Sequence, residues 1–130
     1  MLEEIDLFRL SHAMARHAGA RQAVVAQNMA HADTPGYAAR DIAPFSAYLG
    51  GTAGFAPRAT RPGHLNGSHA GIAPGFAPRI DRTATRDPNG NSVALETEML
   101  RAVEVRRQHN RALAIWRSGL GVLRAAIGRS

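Results

Sequence analysis

Apolar side chains recur at alternating spacings of three and four in two stretches, one near each end of the chain. That spacing marks the contact line of a heptad pattern. In the first stretch the line runs through Leu7, Leu10, Met14, His17, Arg21, Val24 and Asn28, predicting a single helix from about Glu3 to Ala32, about 45 Å long at the standard rise. In the second it runs through Leu95, Met99, Ala102, Arg106, His109, Leu113, Trp116, Leu120, Leu123 and Ile127. The second helix is expected from Ser92 or Val93 to about Ile127, about 50 Å long. Phe8 and Val25 on the first helix, and Leu100, Val103, Ile115 and Val122 on the second, fall off these lines.

The ends of both helices carry local signals. Glu3, Glu4 and Asp6 suit the positive pole of the first helix, Glu96 and Glu98 that of the second, and Arg124 and Arg129 its negative pole. Asn91 or Ser92 is the expected cap of the second helix. Thr34-Pro35-Gly36-Tyr37 stops the first helix. Proline fixes φ at the first central position of a type II turn, and glycine accepts a positive φ at the second. Beyond the turn, Pro44 could start a short helix with Phe45, Tyr48 and Leu49 on one face.

From Gly50 to Asn91, Gly and Pro interrupt the chain every few residues and no helical period survives. Gly54-Phe55-Ala56-Pro57-Arg58 returns as Gly75-Phe76-Ala77-Pro78-Arg79. Alanine before proline favours extended backbone, so extended segments with at most a small hairpin are expected. The chain thus divides into a first helix (1–33), a turn with a short helix and a Gly/Pro-rich insertion (34–91), and a second helix (92–130). The expected fold is mainly α: two long terminal helices pairing antiparallel as a coiled coil, around an irregular or small β middle segment. In such a pair His17 and Arg106 lie at the same level, where a polar layer would fix register. Two helices with internal glycines and no third layer should be marginal alone, and their off-line apolar residues mark an interaction surface. The monomer is therefore expected to be partly disordered and to gain helix on assembly.

Composition adds mostly exclusions. The 130 residues include no cysteine, so there is no disulfide framework and no Cys-based metal site. No apolar run is long enough to span a membrane. The acidic start Met1-Leu2-Glu3-Glu4-Ile5-Asp6 lacks the apolar region of a signal peptide. It reads as cytoplasmic, or as export by a route that removes no leader. The net charge of +6 comes entirely from arginine; its spread along the chain favours solvated helix faces over an anionic partner. His12 and His17 are five apart, as are His64 and His69, the wrong spacing for two ligands on one helical face. There is no nucleophile elbow and no phosphate-binding glycine loop. Glu96 and Glu98 do not face each other on a helix. No catalytic residue, metal ligand or cofactor is expected, and the chain reads as a non-enzyme. Trp116 reads as core. Arg101, Arg106, Arg107, Arg111 and Arg117 supply charge, but Arg106 falls on the contact line, and no helix-turn-helix is formed. A free-standing basic adaptor or nucleic-acid binder is the alternative class.

The string Asn28-Met29-Ala30-His31-Ala32-Asp33-Thr34-Pro35-Gly36-Tyr37 resembles the N-terminal signature of the bacterial flagellar rod and hook family. Asn28, Ala30, Thr34, Pro35, Gly36 and Tyr37 match; His31 stands where the family usually has a second Asn. Asn91 through Met99 resembles the start of the family's C-terminal helix. Ala94 there replaces a residue that is often polar and capping. Thr60-Arg61-Pro62-Gly63-His64-Leu65 and the ending Gly119 to Gly128 are similar to those of the proximal-rod subfamily. The resemblance implies a structural subunit exported uncleaved through the flagellar type III channel. It would assemble through its terminal helices with copies of itself and other rod proteins, and contact membrane-ring and export-gate components at the rod base. Neither nucleic-acid binding nor direct membrane insertion is implied. Leu7, Leu10, Met14, Val24, Leu95, Met99, Leu113, Trp116, Leu120, Leu123 and Ile127 would form the assembly seam.

Overall fold

A computed structural model describes residues 2–49 and 76–128. The first repeat copy, the Thr60–Leu65 turn and the His64/His69 pair lie outside these residues. The order of elements is helix α1 (Leu2–Ala30), strand β1 (Arg40–Asp41), helix α2 (Phe45–Leu49), strand β2 (Arg79–Ile80) and helix α3 (Leu95–Ile127). The long helices pack antiparallel. Phe8 meets Trp116 near one end, His17 meets Gln108 midway, and Asn28 meets Glu98 near the other. No helix among the described residues is long and apolar enough to cross a membrane.

The Thr34–Tyr37 turn forms as expected: the Tyr37 N–H donates to the Thr34 carbonyl and Gly36 has φ +73°. A second turn, Asp87 to Gly90, presses against it. Gly90 has φ +82°, and a Cβ built on it would stand 3.3 Å from the Gly36 Cα. Between the turns, Gly36 N–H donates to Asn89 O and Ser92 N–H to Tyr37 O. β1 and β2 pair antiparallel, Arg40 opposite Ile80 and Asp41 opposite Arg79. The second repeat copy thus contributes its Arg79 to a strand whose partner is the segment after α1. In α2, Phe45 is buried, whereas Leu49 is mostly exposed rather than sharing a covered face.

The α3 contact line lies one residue away from the expected one. Its buried positions are Glu98, Val105, Ala112 and Gly119. The period is seven, as in a heptad repeat, but displaced by one residue, or about 100° of helix rotation. Towards one end this line carries small residues, Ala112 and Gly119, and towards the other Glu98 and Val105 are buried on it. Gly119 receives the Phe8 ring, whose Cζ lies 3.0 Å from a built Cβ. Phe8 meets Trp116 edge-on at 4.8 Å between ring centroids. On α1 the buried positions are Ser11, His17, Ala18, Val24, Val25 and Asn28. Phe8 and Val25, off the expected line, therefore face the partner helix or the core.

Candidate functional site: the joint between the helices and the faces it leaves open

At the joined end, side chains do the work that loop backbone cannot do alone. Asn28 is fully buried. Its Nδ2 donates to Arg40 O at 2.7 Å, and its Oδ1 accepts from Arg40 N at 3.1 Å. One amide side chain so satisfies both backbone groups of Arg40, as a neighbouring strand would. The same Nδ2 donates to Glu98 Oε2 at 3.1 Å, across the helix pair. A carboxylate at this position would lack the donors, and an aliphatic group would lack all of these bonds.

Asn91 plays the matching part from the other side. Its Nδ2 lies 2.8–2.9 Å from the carbonyls of His31, Ala32 and Thr34, in the turn that follows α1. Its Oδ1 accepts from Val93 N at 2.7 Å. Ser92 Oγ accepts from Ala39 N at 2.8 Å. Asn91 and Ser92 therefore tie α3 to α1 instead of capping α3. The N-cap is Ala94, which makes no side-chain cap bond. His31 packs flat on Tyr37, centroids 4.5 Å apart, and hydrogen-bonds through Nδ1 with Gln27 O.

Charges continue the joint outward. Glu98, almost fully buried, accepts from Arg101 at 2.8 Å, and Arg101 reaches Asp81 at 2.6 Å. Arg21 forks onto Asp41 with two bonds of 2.9 Å, the geometry in which guanidinium–carboxylate pairs are strongest. Hydrogen bonds from Thr83 and Arg101 hold the Asp81 carboxyl at about 2, against the opposing pull of its partial burial. Burial raises Asp41, but the Arg21 bonds, the Ile42 N–H and the Arg101 charge outweigh it and leave it lowered. Buried ion pairs of this kind specify geometry more than they add stability.

His17 and Arg106 do not form the expected polar layer. His17 is buried, its Nε2 2.8 Å from Ala43 O and its ring against Phe45, Tyr48 and Phe76. Its contact on α3 is Gln108, while Arg106 is exposed. The Nε2–H donates to the carbonyl, so His17 anchors the segment leading into α2.

Of the remaining signature residues, Ala30 closes α1, and Thr34, Pro35 and Gly36 form an exposed turn. Tyr37 Oη reaches Asn28 Oδ1 at 3.5 Å. Of the anticipated seam, Val24 is buried, and Met14, Leu113, Leu120 and Leu123 are half-buried. Leu7, Leu10, Leu95, Met99, Trp116 and Ile127 keep between 37% and 73% of their surface exposed. Leu100, Val103 and Val122 are exposed as well. The sequence reading missed Glu98 as a buried bridge, because an acid in the first turn of a helix is commonly a dipole partner. It missed Ala112 and Gly119 because it followed large residues. The seven-residue recurrence of Glu98, Val105, Ala112 and Gly119 was the available signal. Among the described residues no group of His, Asp and Glu could hold a metal ion.

Two long helices are thus pinned at one end by buried asparagines and leave apolar side chains exposed on their outer faces. The chain is 34% identical over 113 residues to the flagellar basal body rod protein FlgB of Agrobacterium fabrum (strain C58 / ATCC 33970), covering 84% of this chain and 83% of that protein. No protein-family profile matches. The chain belongs to the FlgB family of flagellar basal body rod proteins. Its role is that of a structural protein of the flagellar rod.

Proposed function

We propose that the chain is a subunit of the proximal rod, exported uncleaved through the flagellar type III channel and assembled helically through α1 and α3. Its neighbours are copies of itself and other rod proteins, with membrane-ring and export-gate components at the rod base. Many parallel helix contacts carry torque, and the assembled wall continues the export channel. The carrying observation is the relative's match across most of both chains. The apolar side chains exposed on both helices supply the surface such assembly requires. Leu7, Leu10, Leu95, Met99 and Trp116 are the proposed contacts with neighbours. A chain with little apolar burial also unfolds readily for passage through a narrow channel. Deletion of the gene should abolish rods in isolated basal bodies, seen by electron microscopy, and abolish swimming. Intact rods and normal swimming would refute the assignment.

A further inference from the structure

A cleft of about 1100 Å³ opens beside the β1–β2 pair, lined by Ile42, Pro44 and Ile80 together with Arg79, Arg82 and Arg86. Asp41 and Asp81 also line it, but Arg21 and Arg101 already hold them. No acidic side chain among the described residues lies within ion-pair distance of Arg79, Arg82 or Arg86; the observed pairs use Arg21 and Arg101. From Ile42 to Ile80 the sequence contains no Asp or Glu, so the intervening chain supplies none either. The arginines are spread along the sequence, yet folding sets these three around one recess, where like charges repel until an anion enters.

The sheet beside the cleft has one closed edge and one open edge. An antiparallel ladder alternates between residue pairs that bond each other and pairs whose backbone groups point outward. The Asp81 N–H donates to Ala39 O at 2.8 Å, which makes Arg40 and Ile80 an outward-pointing pair. Asn28 satisfies the Arg40 groups. The Ile80 N–H and C=O point the other way, to an edge with no further strand among the described residues. The Ile80 side chain beside them is 55% exposed.

We infer that this cleft binds an extended acidic segment of another protein, which adds a strand beside β2 and sets its carboxylates on Arg79, Arg82 and Arg86. Main-chain bonds at Ile80 hold the segment, and Ile42, Pro44 and Ile80 receive an apolar side chain between the carboxylates. A nucleic acid fits less well, because no aromatic side chain lines the cleft to stack a base. A membrane surface is flat, whereas these arginines surround a recess. The rod assignment rests on the relative's match and stands or falls separately.

The full-length chain is titrated into a fluorescent peptide of alternating Glu and Val, with anisotropy as the readout at about 0.15 M salt. Saturable binding is expected. The triple variant R79Q/R82Q/R86Q should bind at least about tenfold more weakly with unchanged circular dichroism, since these guanidiniums have no carboxylate partner to lose. The variant R106Q/R111Q/R117Q removes the same charge from exposed positions on α3 and should bind like the wild type. The same peptide methylated on its backbone nitrogens should bind about fivefold more weakly, the worth of one lost hydrogen bond. Absence of binding by the wild type overturns the inference. So does an equal loss in both triple variants, which would show charge attraction without a site, and so does equal binding of the methylated peptide. Tighter binding of oligothymidylate, of phosphatidylglycerol vesicles or of a peptide spanning Met1 to His12 of this chain also overturns it, in favour of a nucleic acid, a membrane or a second copy respectively.

Discussion

Where α1 hands over to the two turns and α3 begins, the buried polar side chains find partners within the same chain. Among the described residues no buried side-chain nitrogen or oxygen lacks a hydrogen bond. The opposite end of the helix pair is held by Phe8, Trp116 and the Gly119 notch, with large apolar residues facing outward. The first region is specified by directional bonds that tolerate little displacement. The second is a shallow apolar contact with surface to spare. The contrast lies in what fixes the geometry: directional bonds set angle and register at the joined end, where Leu95, Met99 and Leu100 are nonetheless exposed, and apolar contact alone holds the other end, where Leu7, Trp116 and Val122 are exposed.

The contrast can be broken most severely at Asn28. N28D removes the donor to Arg40 O and sets a carboxylate against buried Glu98; it should destabilise the joint by roughly 3 kcal/mol or more, read as loss of helical circular dichroism. N28Q, which retains amide chemistry at the wrong reach, should recover only part. N91A removes the amide shared by the His31, Ala32 and Thr34 carbonyls and should cost about 2 kcal/mol, measured by urea unfolding at fixed protein concentration.

Acid should act on the same end. The Asp81 carboxyl sits at about 2 in the folded chain against an ordinary 3.8. Its contribution is complete above the ordinary value and is lost as pH falls toward 2; lowered Asp41 acts in the same direction. Stability should therefore decline between about pH 4 and pH 2, and D81N should flatten that decline in a pH series of thermal melts.

The smallest effect on folding is expected at the free end. V122S and I127S, at positions more than half exposed, should change the stability of the dilute chain by no more than about 0.5 kcal/mol. If those faces meet neighbours, the same variants should reduce rod formation in cells. Dilute wild-type protein should show incomplete, weakly cooperative helicity. A sharp, fully helical melt would place the free end in the same self-sufficient class as the joint.

Some of this was legible from residue order. The helix period and the Pro35-Gly36 turn follow from local steric rules, which need no knowledge of distant contacts, and antiparallel packing is the simplest arrangement of two helices joined by one insertion. The joint was only half legible. Asn28 stood out through its family string, and Asn91 as a helix cap, but nothing local reveals that Asn91 turns away from α3 to serve α1. Glu98, Asp41, Asp81, Arg21 and Arg101 are scattered through the chain and become a network only when two turns dock face to face.

The sequence by itself determined that there are two long helices, where the first one ends, and that the chain carries apolar residues beyond one packing line. Tertiary structure decided which line is covered. Repeat spacing allows several faces of α3 to serve, and the covered one bears Glu98, Val105, Ala112 and Gly119; at Gly119 the missing side chain leaves room for the Phe8 ring, and at Glu98 the buried partner is Asn28. The larger residues one position further along are left at the margin or outside, where their apolar surface remains available to a neighbour.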